Sequence, residues 1–388
     1  MNLNDCKYLI VGSGIFGSVI AERIANDIGE HVTIIEKRSH IGGNCYTKTD
    51  DKTGIEEHCY GSHIFHTSNT KVWDYINRFC KFNTYRHKVL TRYKGQTYVM
   101  PINLSTINML YGLDLKPFEA DSFIKTEADS EGIISPANLE EKAISLIGRP
   151  LYEAFIKGYT QKQWNIDPKE LPESIITRLP VRTNHNYDYF DDIWQGIPLD
   201  GYTAIFNRLT ANPLIEIHLN TDFFDIRDII PPECTVIYTG PIDRFFDYRH
   251  GVLGWRTIEF QKEIMSVGDF QGTSVVNYAE TTIPYTRIHE FRHYHPERTY
   301  YPPDYSIIFK EFSLQCGRDS DPYYPINTDK DKKIYQTYCS QSDILPNVIF
   351  GGRLGSYSYL DMDKTIQKAL DTYETIKSRQ ALLQKYNT

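Results

Sequence analysis

The stretch KYLIVGSGIFGSVIAERIANDIGEHVTIIE, residues 7–36, decides the fold. Lys7 to Val11 is a short apolar run with β character. Gly12-Ser-Gly14-Ile-Phe-Gly17 follows, then a helical pattern through Ile24, and a second apolar run, Val32 to Ile35, ends in Glu36. Strand, glycine loop, helix, strand and acid in this order describe a βαβ unit. The first glycine permits the tight turn, the second lets a pyrophosphate approach the backbone, and the third lets helix and strand pack closely. The helix N-terminus offers free N–H groups and a positive dipole end to phosphates. Glu36 stands near the distance at which an acid takes ribose hydroxyls. A bare GxGxxG says little. Here the strand, helix and acid all fall in place, so the stretch is read as a dinucleotide site with Gly12, Gly14, Phe16, Gly17, Glu36 and Lys37 as cofactor-binding residues.

Working outward, 388 residues suffice for two or three packed units at roughly 100–200 residues each. The net charge of −8 and the lack of a long basic run argue against a nucleic-acid partner. Seven cysteines, an odd number with no CxxC pair, suggest neither a disulfide framework nor a zinc site, and fit a reducing cytoplasm. Neither a signal peptide nor a run long enough to span a bilayer is expected. The chain carries 29 tyrosines, whose rings with polar tips suit a wet, ligand-lined cleft as well as a core.

Five residues past Glu36 stands Gly42-Gly43-Asn44, a second place where backbone can crowd a bulky cofactor. This extension resembles the large FAD-binding family of two-domain flavoproteins more than NAD dehydrogenases, so FAD is the expected cofactor, with Gly43 and Asn44 in contact. Thr235 to Gly240 reads as a strand ending at Thr239-Gly240 beside the cofactor. Val348 to Arg353 reads as another running into Gly352 and Arg353. Asp361 to Ile376 reads as an amphipathic helix capped by Asp361, whose N-terminus, with Met362, would hold the ribityl or pyrophosphate portion.

The fold class is therefore α/β with α+β inserts: a Rossmann-like FAD-binding domain, a small helical domain and an antiparallel β-sheet domain. The FAD domain is assigned to residues 1–72, 200–250 and 340–388. The helical domain takes 73–84 and 103–177, and the sheet domain 85–102, 178–199 and 251–339. Residues 138–164 predict a helix opening on Asn138 with an acid three residues on. Val72 to Phe82 and Ser105 to Leu110 predict further helices. Residues 89–101 predict a hairpin turning at Lys94-Gly95, and 255–314 several strands, including Thr273–Tyr278 and Tyr305–Phe312.

Several runs, taken together and in order, carry a more specific resemblance. They are Ile41 to Asn44, Tyr60-Gly-Ser-His-Ile-Phe-His-Thr67, Lys157-Gly-Tyr-Thr-Gln-Lys-Gln-Trp164, Lys169 to Pro172 and Arg178-Leu-Pro-Val-Arg182. Gly240 to Asp243, Pro284 to Arg287, Pro322 to Pro325 and Gly351 to Leu354 continue the set. The chain resembles the bacterial UDP-galactopyranose mutases from the first strand to the last helix. That resemblance implies redox-neutral interconversion of UDP-galactopyranose and UDP-galactofuranose. FAD is active when reduced, and its N5 attacks the anomeric carbon, which is covalent catalysis by the cofactor. It also implies a cytoplasmic homodimer that supplies cell-surface polysaccharide biosynthesis.

The resemblance further assigns residues. Phe155, Tyr159 and Trp164 are the uridine-side aromatics, and 165–177 is a mobile lid. Arg178 is the lid arginine for the diphosphate, and Arg287 its fixed counterpart. Guanidinium forks suit phosphate oxygens in geometry and charge. Tyr189, Tyr324 and Tyr359 hydrogen-bond the diphosphate and close the sugar pocket. Gly61, Ser62 and His63 form a loop against the flavin, which makes His63 catalytic together with the two arginines. On context alone Arg178 also reads as a surface arginine, any single tyrosine as core, and Arg182 as an ion-pair partner. His63 and His66 lack a third ligand of sensible spacing, so no metal is expected. No Ser-His-Asp or Cys-His arrangement stands out.

Arg86-His87-Lys88, Asp200-Gly-Tyr202 and the stretch after Arg182 depart from the family pattern. They leave open a C2-acetamido substrate, UDP-N-acetylgalactosamine. An amine-oxidase-like FAD oxidoreductase fits the first sixty residues as the mutase does, and a non-catalytic FAD-binding protein is a third reading behind both.

Overall fold

In the computed structural model Tyr8–Val11 is the central strand of a five-stranded parallel sheet and is buried along its whole length. A continuously apolar strand of this kind is what a sheet covered on both faces requires. Across the sheet the order is Val348–Phe350, Thr235–Tyr238, Tyr8–Val11, Val32–Ile35 and Ile215–His218. The sheet thus draws on the beginning, middle and end of the chain, as the motifs at Thr239 and Gly352 suggested. The helix Ile15–Arg23 packs against the long C-terminal helix Met362–Tyr386, burying Val19, Ile20, Ile366 and Ala369 between them and the sheet. The structure describes residues 3, 5–178 and 181–386; the side chains at 174, 177, 178 and 383–386 lie outside it.

A second sheet has seven strands, in the order Tyr324–Pro325, Trp255–Met265, Ser306–Gln315, Arg287–Glu290, Val275–Tyr278, Val89–Tyr93 and Gln96–Met100. Its hairpin turns where expected: Lys94 and Gly95 both take positive φ, 48° and 77°. That twist matches the flanking strands in a two-residue turn. The sheet is not purely antiparallel, because Val275–Tyr278 joins Val89–Tyr93 in parallel.

Three other expectations are corrected. The helix predicted over 138–164 breaks at Gly148, whose φ of 75° lies outside the helical region. Leu139–Ile147 comes before the break, and a wide turn, Tyr152–Ile156, leads into Lys157–Trp164 after it. Residues 194–196, assigned to the sheet domain, instead pair with Phe65–Thr67. The helix Asp329–Ser342, most of it given to the sheet domain, packs beside Val348–Phe350 and buries Tyr338 there.

The helical unit is built from Leu104–Tyr111, Pro117–Asp129 and Leu139–Ile147. Asn138 caps the last of these, its side chain accepting from Glu141 N. The Glu141 carboxylate reaches Ala137 N, one residue earlier than a closed capping box would place it. No helix among the described residues is long and apolar enough to cross a membrane.

Candidate functional site

A cavity of about 300 Å³ opens at the C-terminal ends of the parallel strands, where such sheets bind ligands. Gly12, Gly14, Phe16, Gly17, Glu36, Lys37, Gly43, Asn44, His63, Thr239, Gly240, Gly352, Arg353 and Met362 line it. Gly61, Ser62 and Asp361 are not among its lining residues, although their chain neighbours His63 and Met362 are.

Three glycines show the division of labour that a dinucleotide loop needs. Gly12 turns at φ 103°, and a Cβ there would meet Thr239 Oγ1 at 2.2 Å. A Cβ on Gly17 would meet Gly12 O at 2.2 Å and Ile10 at 2.8 Å, so the helix lies directly on the strand. A Cβ on Gly14 would meet nothing within 4 Å, because that face is open to the cavity. Only a glycine leaves that cradle free for a pyrophosphate at the N-terminus of Ile15–Arg23. The residues present therefore fit a dinucleotide.

Glu36 is buried and accepts from Ser13 N at 3.0 Å, Ser13 Oγ at 2.8 Å and Arg38 N at 3.0 Å. Beside it Asp321, in the loop between strands Ser306–Gln315 and Tyr324–Pro325 of the second sheet, bridges Lys37 at 2.5 Å and Arg38 at 2.6 Å. Arg38 also reaches Asn44 Oδ1 at 3.0 Å and covers the Tyr60 ring. Arg38 and Asp321 were not among the sequence candidates; an arginine directly after Lys37 was the available sign. Asp361 precedes the long helix and accepts its first backbone bond, Thr365 N to Asp361 O at 2.9 Å.

The loop 61–63 turns at Gly61, whose φ is 96°. His63 Nδ1 lies 2.7 Å from Gly61 O, and His63 N donates to His58 Nδ1 at 3.1 Å. Burial pushes the His63 ring down to about 4 against the raising effect of the Gly61 carbonyl, so it is neutral at pH 7. With Nδ1 donating to Gly61 O, Nε2 is left as an acceptor. His66 diverges from it and pairs with Asp192 at 2.7 Å.

Arg287 gathers the predicted phenols. Tyr159, Tyr324 and Tyr189 all lie near enough to act on its charge. Tyr324 and Tyr359 pack with ring centroids 5.7 Å apart, and Arg353 covers Tyr359 at 4.9 Å. Arg353 also donates to Leu360 O at 2.9 Å. Burial pushes the Tyr324 phenol up to about 12. Arg287 itself is anchored by Glu311, Nε to Oε1 at 3.0 Å.

Trp164 ends its helix half-buried, and Asn165, at φ 52°, stops the helix there. Lys162 ties this helix to the loop before Arg287: Nζ donates to the carbonyls of Tyr278 at 2.6 Å, Tyr285 at 2.9 Å and Ile283 at 3.0 Å. Phe155 is placed differently from an open stacking platform. It is buried edge-on against Tyr98 and Tyr93 of the hairpin. Arg178 closes the short helix Glu173–Arg178, and its side chain lies outside the described residues. Arg182 is buried and structural, paired with Asp191 at 2.6 Å and bonded to the Asp188 carbonyl.

One arrangement was missed altogether. Ser62, His289 and Glu311 meet as a serine–histidine–carboxylate set. The acid Glu311, beside Lys310 inside the apolar run Ile307-Ile-Phe-Lys-Glu-Phe312, was the available sequence signal.

Comparison with known proteins bears on this geometry. The sequence profile of the UDP-galactopyranose mutase family matches residues 154–359. The chain belongs to the UDP-galactopyranose mutase family. It is an isomerase, and its mutase fold carries an NAD(P)-binding Rossmann-like domain matched over residues 10–79. A probable UDP-galactopyranose mutase of Klebsiella pneumoniae is 41% identical over 97% of this chain and 96% of its own length. An Escherichia coli dTDP-fucopyranose mutase is 40% identical over 94% of this chain and 97% of its own. A crystal structure of reduced UDP-galactopyranose mutase superposes with a TM-score of 0.73 at 12% identity, covering 97% of this chain and 94% of that one.

Proposed function

We propose that the chain interconverts UDP-galactopyranose and UDP-galactofuranose with FAD bound in the cavity and held reduced. One observation carries the reading: the glutamate-anchored Arg287 acts electrostatically on Tyr159, Tyr189 and Tyr324, and Tyr324 lies under Arg353, which lines the dinucleotide cavity. When bound, reduced flavin supplies the nucleophile, N5, for the anomeric carbon. Everything else falls to the chain's own residues.

Gly12, Gly14, Gly17, Glu36, Lys37, Gly43, Asn44, Thr239, Gly240, Gly352, Asp361 and Met362 hold the dinucleotide. Phe16 and Arg353 flank it, and the loop Gly61-Ser62-His63 borders its reactive face. Arg287, with Arg178 brought in on its lid, grips the diphosphate and stabilises the charge that develops on departing UDP. Such a donor contributes about 3–4 kcal/mol. Tyr189, Tyr324 and Tyr359 donate to the phosphates. Trp164 and Tyr159 take the uridine end, with Phe155 packed behind them against the hairpin rather than touching the ligand. Neutral His63 keeps an acceptor at the cavity without adding positive charge. No side-chain nucleophile is needed. The same reading places the enzyme in the cytoplasm as a homodimer.

The E. coli relative supports a second reading for the sugar nucleotide alone, a dTDP-6-deoxysugar. His87, at the departure from the family pattern, packs edge-on against Tyr189 at 5.3 Å. It stands where one contact could select between sugars, UDP-N-acetylgalactosamine among them.

The test is anaerobic turnover of dithionite-reduced protein with UDP-galactose, dTDP-fucose and UDP-N-acetylgalactosamine. Ring forms are followed by chromatography beside an oxidised control. Conversion in the reduced sample alone supports the proposal, and the fastest sugar names the substrate. Substrate-dependent flavin reduction would favour the amine-oxidase-like reading. Full activity in both Arg178→Ala and Arg287→Ala would overturn the assigned roles.

A further inference from the structure

Arg287 and His289 are two residues apart on one strand, so their side chains share a face. On the neighbouring antiparallel strand Glu311 stands opposite Arg287, within diagonal reach of His289. The carboxylate takes both: Oε1 accepts from Arg287 Nε at 3.0 Å, and Oε2 lies 2.8 Å from His289 Nε2. The far ring nitrogen, Nδ1, is hydrogen-bonded to Ser62 Oγ, and Tyr294 O–H donates to the same Oγ. His289, Tyr294 and Glu311 are all buried.

The direction of every bond follows. The Glu311 carboxyl is held down to about 2 and can only accept, so Nε2 carries the imidazole proton. Burial lowers His289 and keeps the ring neutral, which leaves Nδ1 as an acceptor. Ser62 then donates to it and receives from Tyr294. In a serine hydrolase the serine is free to attack. Here its hydroxyl is committed on both sides, and the carboxylate's other oxygen is spent on an arginine, so the set orients groups rather than attacking a substrate.

We infer that His289 is a positioning residue: through Glu311 and Ser62 it sets the diphosphate arginine Arg287 and the cavity loop 61–63 as one hydrogen-bonded unit. This rests on the reading of Arg287 proposed above. Diphosphate binding and the seating of the loop are then coupled although no ligand touches His289.

The experiment has two arms on the flavin-loaded protein. In the first, UDP affinity is measured by calorimetry for wild type, Ser62→Ala, His289→Gln and the double variant, each with a melting curve. Ser62→Ala and His289→Gln each weaken UDP roughly five- to tenfold, and the double variant loses no more than His289→Gln alone. Losses that multiply, or none at all, overturn the inference. In the second, proton NMR follows the exchange-protected imidazole N–H of His289, identified by its loss in His289→Gln. It shifts in Ser62→Ala if the chain exists, and its indifference would sink the idea. A wild type that fails to bind UDP refutes the diphosphate reading, while the spectrum still decides the chain. If His289→Gln does not fold, His289→Asn takes its place in the double variant and in the identification of the imidazole N–H.

Discussion

Arg287 Nε lies 3.0 Å from Glu311 Oε1 across two antiparallel strands, and the carboxylate side chain is only 3% exposed. Burial alone would raise this carboxyl. The Arg287 charge and the His289 hydrogen bond outweigh it and hold the group at about 2, against an ordinary 4.5.

A stability signature follows. A depressed carboxyl stabilises the fold above its unfolded pKa, and that contribution is lost as pH falls from about 4.5 toward 2. Glu311→Gln removes the group. The difference in urea midpoint between wild type and variant is therefore largest near neutrality and shrinks through this window. A difference that stays constant from pH 6 to pH 3 contradicts the ion pair.

The glycine loop separates fold from binding. Gly17→Ala forces a Cβ to 2.2 Å from the Gly12 carbonyl, and backbone must move. We expect loss of melting temperature and of cofactor together. Gly14→Ala meets nothing within 4 Å and intrudes only on the cavity. Its apoprotein should melt as wild type does while the purified protein is colourless. Equal flavin content in Gly14→Ala and wild type would show that the pyrophosphate lies elsewhere.

Lys162 offers its ammonium to three carbonyls, which exhausts its donors. Burial lowers it to about 8, so its proton is held less tightly in the fold than in the unfolded chain. Stability from this group accordingly rises as pH climbs from about 8 toward 10.5. Lys162→Met leaves the carbonyls unpaired and costs about 2–3 kcal/mol. Thermal unfolding at pH 7.5 measures the loss. Trp164 fluorescence, two residues on, should change with it.

Asp321 joins Lys37 and Arg38 to the second sheet at the cavity rim. Asp321→Asn keeps the shape and removes the charge, so both cations lose their partner. We expect the cofactor to dissociate faster on dilution while turnover of the loaded enzyme is unchanged. Unaltered dissociation would mean that the bridge does not hold the rim.

Local patterns made most of the frame legible before any coordinates. The apolar run Tyr8–Val11, the glycines after it and the Lys94-Gly95 turn depend on neighbours in the chain, and the structure places each of those elements as read. What escaped depends on distant partners. Gly148 does not by itself end a helix, since an isolated glycine in a helical pattern is tolerated at a cost of about 1 kcal/mol; Pro150, two residues on, was the local sign of a break. Ser62, His289 and Glu311 lie on three separated segments, and only the register of two strands brings the last two together. The motif around Phe155 points it at a ligand; its burial against Tyr98 comes from a hairpin over fifty residues earlier, which no local pattern reveals.

The parallel sheet also bears on how the chain is born. Its central strand, Tyr8–Val11, leaves the ribosome long before Thr235–Tyr238, with which it pairs, and that strand itself pairs with Val348–Phe350. Contacts of such sequence separation form slowly, because a long loop must close before they gain anything. For most of translation the apolar strand edge and the glycine loop therefore wait without their partner, exposed to aggregation and in need of shielding. A nascent chain stalled before residue 348 would have every glycine of the cradle and still lack the strand that leads to Gly352 and Arg353.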